Sequence, residues 1–278
     1  MSHPSPPAFL HPFSHPFFAV SNPVIIGHRG AAGSAPENTL DAFAKGLELG
    51  ATILESDIHA TRDGVPVLIH DNSVDRTTNG SGAVAELSLD ELRELDAGHL
   101  FSMDRGENVP KRGQGVRIPT LEEAFATFPE ARFNLEIKAN PLSLVARVIE
   151  LVEKFERAER TLLTAGENPI MLELREERRK RSGDFAIGAS TADVLSVVKA
   201  ALANGPPPED VMALQIPEAF GGRPLVTAEL IAFAHRRGIA VHVWTINEPS
   251  EMSRLLDLGV DGLVTDHPER MAELLDRS

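Results

Sequence analysis

The 278-residue chain contains no cysteine, so disulfide scaffolds, thiolate zinc sites and cysteine nucleophiles are all excluded. Basic residues are also scarce: 27 Lys and Arg stand against 41 Asp and Glu, which gives a net charge of −14. A chain this acidic is a poor candidate for electrostatic binding of nucleic acid, although the local charge at a site can still suit an anionic substrate. Hydrophobic residues make up 42% of the chain, which supplies a sizeable core and argues against wholesale disorder.

Long hydrophobic runs are missing as well. Residues 1–22 consist of short aromatic patches interrupted by proline and histidine, and no Lys or Arg precedes them as in a signal peptide. The longest apolar stretch among them is four residues long, far too short to span a bilayer. We therefore expect residues 1–22 to form an N-terminal arm packed on the body, and the protein to be cytoplasmic. The alternative is a weak contact with a membrane surface or a partner through Phe9, Phe13, Phe17 and Phe18.

From residue 24 onward, short apolar segments alternate with longer amphipathic ones. The predicted strands are 24–28, 51–58, 132–137, 161–164, 185–189, 210–214, 239–245 and 261–265. The predicted helices between and after them are 39–49, 121–127, 142–155, 169–181, 192–203, 227–237, 249–258 and 271–275. Eight strands that alternate with helices predict an α/β protein, a single (β/α)8 TIM barrel over residues 23–278 without a second domain.

One segment departs from the alternation. A further strand-like run at residues 65–70 follows the second strand after a turn that is too short for a parallel crossover. We therefore expect an antiparallel hairpin after strand two. Residues 72–117 then form a small insertion beside the barrel mouth, with a short helix at 88–96 that begins with the capping pair Ser88 and Glu91.

Acidic side chains interrupt two of the apolar strands. Glu55 and Asp57 are two residues apart on the second strand, so both face the same side, and Glu136 lies on the third strand. Carboxylates at the C-terminal ends of adjacent barrel strands meet at the mouth and repel each other, and a hard divalent cation removes this conflict. The alternative at this point is that Glu136 pairs with Lys138 or an arginine and that the other two are rim residues.

Two histidines and two basic residues stand at the same strand ends. His28 and Arg29 stand at the end of the first strand, His70 ends the hairpin strand, and Lys138 shares a strand face with Glu136. Two imidazoles near neutral pH can act as a base and an acid, and guanidinium and ammonium groups suit a phosphate. Together with a metal ion they would counter the charge of a phosphoryl transition state. The residues therefore indicate metal-assisted cleavage of a phosphodiester.

Trp244 is the only tryptophan, and it lies near the end of the seventh predicted strand. There it is expected to wall the pocket against an apolar part of the substrate, the alternative being ordinary core packing. His242 shares the strand face of Trp244, so it either approaches the mouth or has a structural role.

Ordered motifs extend these observations over about residues 24–270. They are His28-Arg29-Gly30, Pro36-Glu37-Asn38-Thr39, Glu55-Ser56-Asp57, His70-Asp71, Asp75-Arg76-Thr77-Thr78-Asn79-Gly80, Leu135-Glu136-Ile137-Lys138, Trp244-Thr245-Ile246-Asn247 and Thr265-Asp266-His267-Pro268. Through them the chain resembles the glycerophosphodiester phosphodiesterase family. The resemblance implies a barrel enzyme that hydrolyses a glycerophosphodiester to an alcohol and glycerol 3-phosphate, with the family's acid–base pair at His28 and His70.

The resemblance also implies a cofactor and a phosphate site. The family's metal ligands, for Ca²⁺ or Mg²⁺, match Glu55, Asp57 and Glu136, and its phosphate contacts match Arg29 and Lys138. The nucleophile stays open between water and the neighbouring glycerol hydroxyl, which would give a cyclic phosphate. The nearest alternative activity is lysophospholipase D-like cleavage of lysophospholipids at the same site, and more distant ones are phosphodiester binding without catalysis and a sugar-phosphate isomerase.

Overall fold

The computed structural model describes residues 15–104, 106–138, 142–181 and 184–276. The strands are β1 (Val24–Gly27), β2 (Ile53–Ala60), β3 (Pro66–Leu68), β4 (Arg132–Ile137), β5 (Thr161–Thr164), β6 (Ala186–Ile187), β7 (Ala213–Pro217), β8 (Ala219–Phe220), β9 (Arg223–Pro224), β10 (Ala240–Trp244) and β11 (Gly262–Thr265). The helices are α1 (Leu40–Glu48), α2 (Leu89–Arg93), α3 (Leu121–Thr127), α4 (Leu142–Lys154), α5 (Asn168–Lys180), α6 (Thr191–Ala203), α7 (Ala228–His235), α8 (Pro249–Leu258) and α9 (Pro268–Asp276).

Eight parallel strands wind around one axis in the order β6, β5, β4, β2, β1, β11, β10, β7. A backbone hydrogen bond connects the last strand to the first, because the Met212 amide donates to the Ile187 carbonyl at 3.1 Å. Strands β1, β5 and β11 are buried along their whole length, as expected for parallel strands covered by helices outside and side chains inside. The predicted TIM barrel is confirmed, although the sixth predicted strand, 210–214, begins and ends three residues too early.

The hairpin after strand two is confirmed as well. Strand β3 pairs antiparallel with β2, with Ile58 opposite Leu68. The insertion that follows has a small core of its own, which includes Val74, Val84 and Leu92. Its helix α2 begins with the predicted capping box at Ser88, although it is shorter than predicted.

A second hairpin, formed by β8 and β9 directly after β7, was not predicted. Its two turn residues, Gly221 and Gly222, both have positive φ angles of 58° and 74°. A two-residue turn of this kind strongly favours glycine, so the Gly-Gly pair in the sequence was the available signal. The hairpin presents Phe220 at the surface, where 65% of the residue is exposed.

The described part of the N-terminal arm closes the bottom of the barrel. Phe17 and Phe18 are buried and pack with Val24, Ala213 and Ala240, which are the first residues of their strands. Membrane contact through these two phenylalanines is therefore wrong, while Phe9 and Phe13 lie outside the described residues. No helix in the described part of the chain has the length and hydropathy that crossing a bilayer requires.

Candidate active site

A cavity of about 210 Å³ opens at the C-terminal ends of the barrel strands. Its lining includes every residue that the sequence singled out as a site residue. These are His28, Arg29, Glu55, Asp57, His70, Glu136, Lys138 and Trp244. The barrel therefore brings together side chains that are up to 216 residues apart in the chain, from His28 to Trp244.

His28 is held by a carboxylate. Its Nδ1 lies 2.6 Å from Oδ1 of Asp266, so Nδ1 donates to this carboxylate. Asn247 fixes Asp266 in turn: its Nδ2 donates to Oδ2 at 2.7 Å, and its Oδ1 accepts from the Asp266 amide at 2.9 Å. Burial opposes the charged imidazole, but the hydrogen bond to Asp266 and the charge of Glu55 prevail and raise the pKa of His28.

His70 is held in the same way. Its Nδ1 lies 2.7 Å from Oδ1 of Asp71, and Arg76 Nε donates to the second oxygen of Asp71 at 2.6 Å. The hydrogen bond from Arg76, together with that from His70, lowers the pKa of Asp71 to about 2. Arg76 also donates two hydrogen bonds of 2.7 Å to Glu37, and Glu37 accepts a third of 2.7 Å from Arg29. An unbroken chain of hydrogen bonds therefore connects His70 to Arg29.

Asp57 is the buried centre of the site, with 2% of the residue exposed. Its oxygens lie 3.2 Å from Lys138 Nζ and 3.6 Å from Arg29 Nε, and Asn38 Nδ2 donates to it at 3.1 Å. Although burial opposes ionisation, Lys138 and Arg29 lower the pKa of Asp57. This carboxylate therefore stays charged and holds both basic side chains in place.

The other two carboxylates are balanced differently. Glu136 lies 2.7 Å from Lys138 Nζ, which was the alternative left open by the sequence. Glu55 accepts a hydrogen bond of 3.0 Å from the Arg29 amide, yet burial and the neighbouring Asp57 raise the pKa of Glu55 to about 7. The basic groups of the site thus leave the charge of Glu55 incompletely compensated.

The three carboxylates suit a divalent cation, because they offer only oxygen ligands and because the negative charge of Glu55 is incompletely compensated by the basic groups. Within the described residues, however, no three acidic or histidine side chains converge closely enough to form a ready-made metal site. The ammonium group of Lys138 lies between Asp57 and Glu136 instead. A cation that binds here would share these two carboxylates with Lys138.

Trp244 is 44% exposed and lines both this cavity and a second one of about 260 Å³. This second cavity is lined mainly by apolar side chains from α6, β7, the β8–β9 hairpin and the residue after it, including Val194, Leu195, Phe220 and Leu225. Trp244 thus lines the pocket as expected.

His242 lies deep in the barrel, because only 2% of the residue is exposed and its ring centroid is 6.4 Å from that of Phe18. The suggestion that it approaches the mouth is wrong. Burial lowers the pKa of His242 to about 4, so the imidazole is neutral near pH 7.

The comparison with protein-family models decides the assignment. The model described as the glycerophosphoryl diester phosphodiesterase family matches residues 28–270. The chain belongs to this family. A glycerophosphodiester phosphodiesterase of Caldanaerobacter subterraneus subsp. tengcongensis is 32% identical over 260 residues, which cover 91% of this chain and 97% of that protein. Lysophospholipase D GDPD1 of Rattus norvegicus is 30% identical over 280 residues, with 90% and 85% covered.

Solved structures of the family agree with the fold. A phosphodiesterase of Oleispira antarctica, in complex with the product sn-glycerol-3-phosphate, has a TM-score of 0.75 at 26% identity and covers 92% of this chain and 97% of its own. A glycerophosphodiester phosphodiesterase of Agrobacterium tumefaciens has a TM-score of 0.71 at 26% identity, with 90% and 99% covered. The chain is a phosphoric diester hydrolase of the glycerophosphoryl diester phosphodiesterase family, as the motifs imply.

Several residues of this phosphodiesterase site received no role from the sequence. Asp266 and Asn247 hold His28. Glu37 binds Arg29, Asn38 binds Asp57, and Arg76 binds Asp71. All five fall in the family motifs, and their position in these motifs was the available signal. Which side chain each would contact follows only from the closed barrel.

Proposed function

We propose that this phosphodiesterase hydrolyses glycerophosphodiesters to an alcohol and glycerol 3-phosphate in a reaction that depends on a divalent cation. The observation that carries the proposal is the pairing of His28 with Asp266 and of His70 with Asp71 around one cavity that also contains two basic groups and three carboxylates. Each imidazole has its Nδ1 bound, so each can exchange a proton through Nε2.

Arg29 and Lys138 bind the phosphate oxygens in this proposal. Arg29 is positioned by Glu37, and Lys138 by Asp57 and Glu136. Burial disfavours the ammonium form of Lys138, but the charges of Asp57 and Glu136 outweigh it and raise the pKa of Lys138. Lys138 is therefore cationic, and together with the guanidinium group of Arg29 it faces the negative charge that develops on the phosphoryl oxygens in the transition state.

Glu55, Asp57 and Glu136 would hold the divalent cation. When bound, the cation supplies positive charge to the phosphoryl oxygens and compensates the Glu55 carboxylate. One histidine removes the proton from the nucleophile, either water or the neighbouring glycerol hydroxyl, and the other donates a proton to the leaving alkoxide. Attack by the hydroxyl gives a cyclic phosphate, which water then opens with the two histidines in exchanged roles.

The test measures glycerol 3-phosphate released from a mixture of glycerophosphodiesters, with EDTA and after addition of Ca²⁺ or Mg²⁺. We expect release that EDTA abolishes and that one of the two ions restores. If no glycerol 3-phosphate is released with either ion, the proposed substrate is contradicted. If EDTA leaves the release unchanged, the proposed dependence on a divalent cation is contradicted.

His28→Ala and His70→Ala should each lower kcat by roughly 10²–10⁴-fold, the usual effect of a lost acid–base group. His99→Ala is the matched control, because His99 also faces an aspartate, Asp96, at 3.8 Å but lies outside the cavity lining. A folded His28→Ala or His70→Ala variant with the turnover of the His99 control contradicts the acid–base pair.

The second cavity favours a second candidate function, cleavage of lysophospholipids in the manner of a lysophospholipase D. It joins the catalytic cavity along Glu136, Thr164, Gln215 and Trp244, and its apolar lining suits an acyl chain. A relative that shares 30% identity has the name lysophospholipase D. The test compares kcat/KM for a lysophospholipid with kcat/KM for its deacylated head-group diester, and a higher value for the lysolipid favours this function.

A further inference from the structure

Two amide side chains in the catalytic cavity have buried polar atoms that nothing in the described structure satisfies. Neither Oε1 nor Nε2 of Gln215 has a hydrogen-bond partner among the described residues, and the same holds for Oδ1 of Asn134. Both residues line the catalytic cavity. Because native proteins rarely leave buried polar atoms unpaired, such atoms at a cavity wall indicate a ligand that completes them.

The two amides lie on the inner side of the barrel, below the ends of their own strands. Asn134 is two residues before Glu136 on β4, and Gln215 is two residues before Pro217, the register partner of Trp244. Residues two apart on a strand share a face, so each amide lies beneath the mouth on the inner side. At this level Asn134 is the register partner of Glu55, and Gln215 is the register partner of His242.

Gly188 positions Gln215 by having no side chain. A Cβ atom at this position would lie 2.7 Å from Gln215 Oε1 and 2.6 Å from Thr164 Oγ1, closer than such atoms approach in proteins. The glycine therefore lets the side chains of Gln215 and Thr164 lie directly against the backbone at this point of the wall.

The hydroxyl groups of a substrate fit the amides of Gln215 and Asn134 better than its phosphate or an alkyl chain does. The phosphate is attracted to the charged mouth, and an alkyl chain suits the apolar second cavity. An amide offers one donor and one acceptor side by side, and a hydroxyl can accept from the first and donate to the second. We propose that Gln215, assisted by Asn134, binds the free hydroxyls of the glycerol moiety and thereby determines specificity for glycerol phosphate esters. This inference rests on the proposed function.

The test compares two ligands that differ only in these hydroxyls, glycerol 3-phosphate and n-propyl phosphate. Their dissociation constants are measured by titration calorimetry with the same divalent cation present, on the wild type and on Gln215→Leu. We expect the wild type to prefer glycerol 3-phosphate by about tenfold, since each hydrogen bond contributes a few-fold to affinity. In Gln215→Leu this preference should disappear through weaker binding of glycerol 3-phosphate, while the affinity for n-propyl phosphate stays unchanged.

The controls separate the possible causes of a loss. Gln114→Leu, a change at an exposed glutamine of the insertion, should behave as the wild type. Unchanged affinity for n-propyl phosphate shows that the phosphate site is intact, and Gln215→Met provides a second variant with a flexible side chain of similar length.

A Gln215→Leu variant that keeps the tenfold preference overturns the inference, as does a wild type that binds both ligands equally. A wild type that binds neither ligand refutes the proposed function itself, which the hydrolysis assay shows independently.

Discussion

The contact between His28 and Asp266 permits a sharp prediction for Asp266→Asn. Asn247 Nδ2 donates to one oxygen of Asp266, and His28 Nδ1 lies against the other. If the new amide turns its oxygen to His28, its NH₂ group opposes the NH₂ group of Asn247. If it turns its NH₂ group to His28 instead, Nδ1 must accept, and the proton moves to Nε2. Either arrangement disturbs the imidazole, although the shape of the side chain is unchanged.

The expected loss follows from the tautomer. A histidine with its proton fixed on Nε2 cannot accept a proton there, and the same exchange in the serine-protease triad lowers kcat about 10⁴-fold. Because His28 here has one partner histidine in the reaction, we expect kcat/KM to fall by about 10³-fold, which corresponds to about 4 kcal/mol of transition-state stabilisation. The melting temperature should change little, since both residues are partly exposed, with side chains 19% and 24% accessible.

The pH dependence gives an independent readout. The hydrogen bond and charge of Asp266 help to raise the pKa of His28 against the effect of burial. Without them the pKa falls, so the limb of the pH–rate profile that reports His28 should move to lower pH. The assay is glycerol 3-phosphate release as a function of pH, and Asp96→Asn at the His99 pair is the matched control. A folded Asp266→Asn variant with near-wild-type kcat/KM and an unmoved profile would refute the reasoning.

Three further changes test other parts of the molecule. Arg76→Ala removes the guanidinium that joins Glu37 to Asp71, so kcat should fall about tenfold. Arg76→Lys should recover little of this activity, because an ammonium group cannot reproduce the forked contact, and equal rates for the wild type and both variants would contradict the positioning role of Arg76. Phe220→Ala should lower kcat/KM for a lysophospholipid by about fivefold, because about 1 kcal/mol of apolar contact is lost, and should leave kcat/KM for the deacylated diester unchanged. Equal losses for the two substrates would argue against a subsite for the acyl chain. His242→Leu should flatten the acid side of the curve of stability against pH. The unfolded chain takes up a proton below pH 6.5 and the folded chain only near pH 4, so the wild type loses up to about 3 kcal/mol of unfolding free energy over this range. Urea unfolding at several pH values measures this loss, and identical slopes of stability against pH for the wild type and the variant would contradict the burial argument.

The barrel and the charged part of its site were predictable from the sequence for one physical reason. A buried parallel strand is almost wholly apolar, so Glu55, Asp57 and Glu136 stand out within theirs, and their position near strand ends places them at the mouth. The partners of these residues were not predictable in this way. Asp266 meets His28 across 238 residues because β1 and β11 are neighbours in the closed barrel, with the His28 amide donating to the Thr265 carbonyl at 2.8 Å.

The sixth predicted strand ends too early and thereby leaves out a polar residue that lines the cavity. The prediction ended that strand at residue 214, one residue before Gln215. In the structure β7 continues through Gln215 to Pro217, and the amide turns into the cavity instead of out to solvent. Gln215, a neutral amide within an apolar strand, is in this respect comparable to Glu136, a carboxylate within an apolar strand. Both incur a desolvation cost when buried, so an uncharged polar residue inside a barrel strand indicates a binding surface for the same reason that a charged one does.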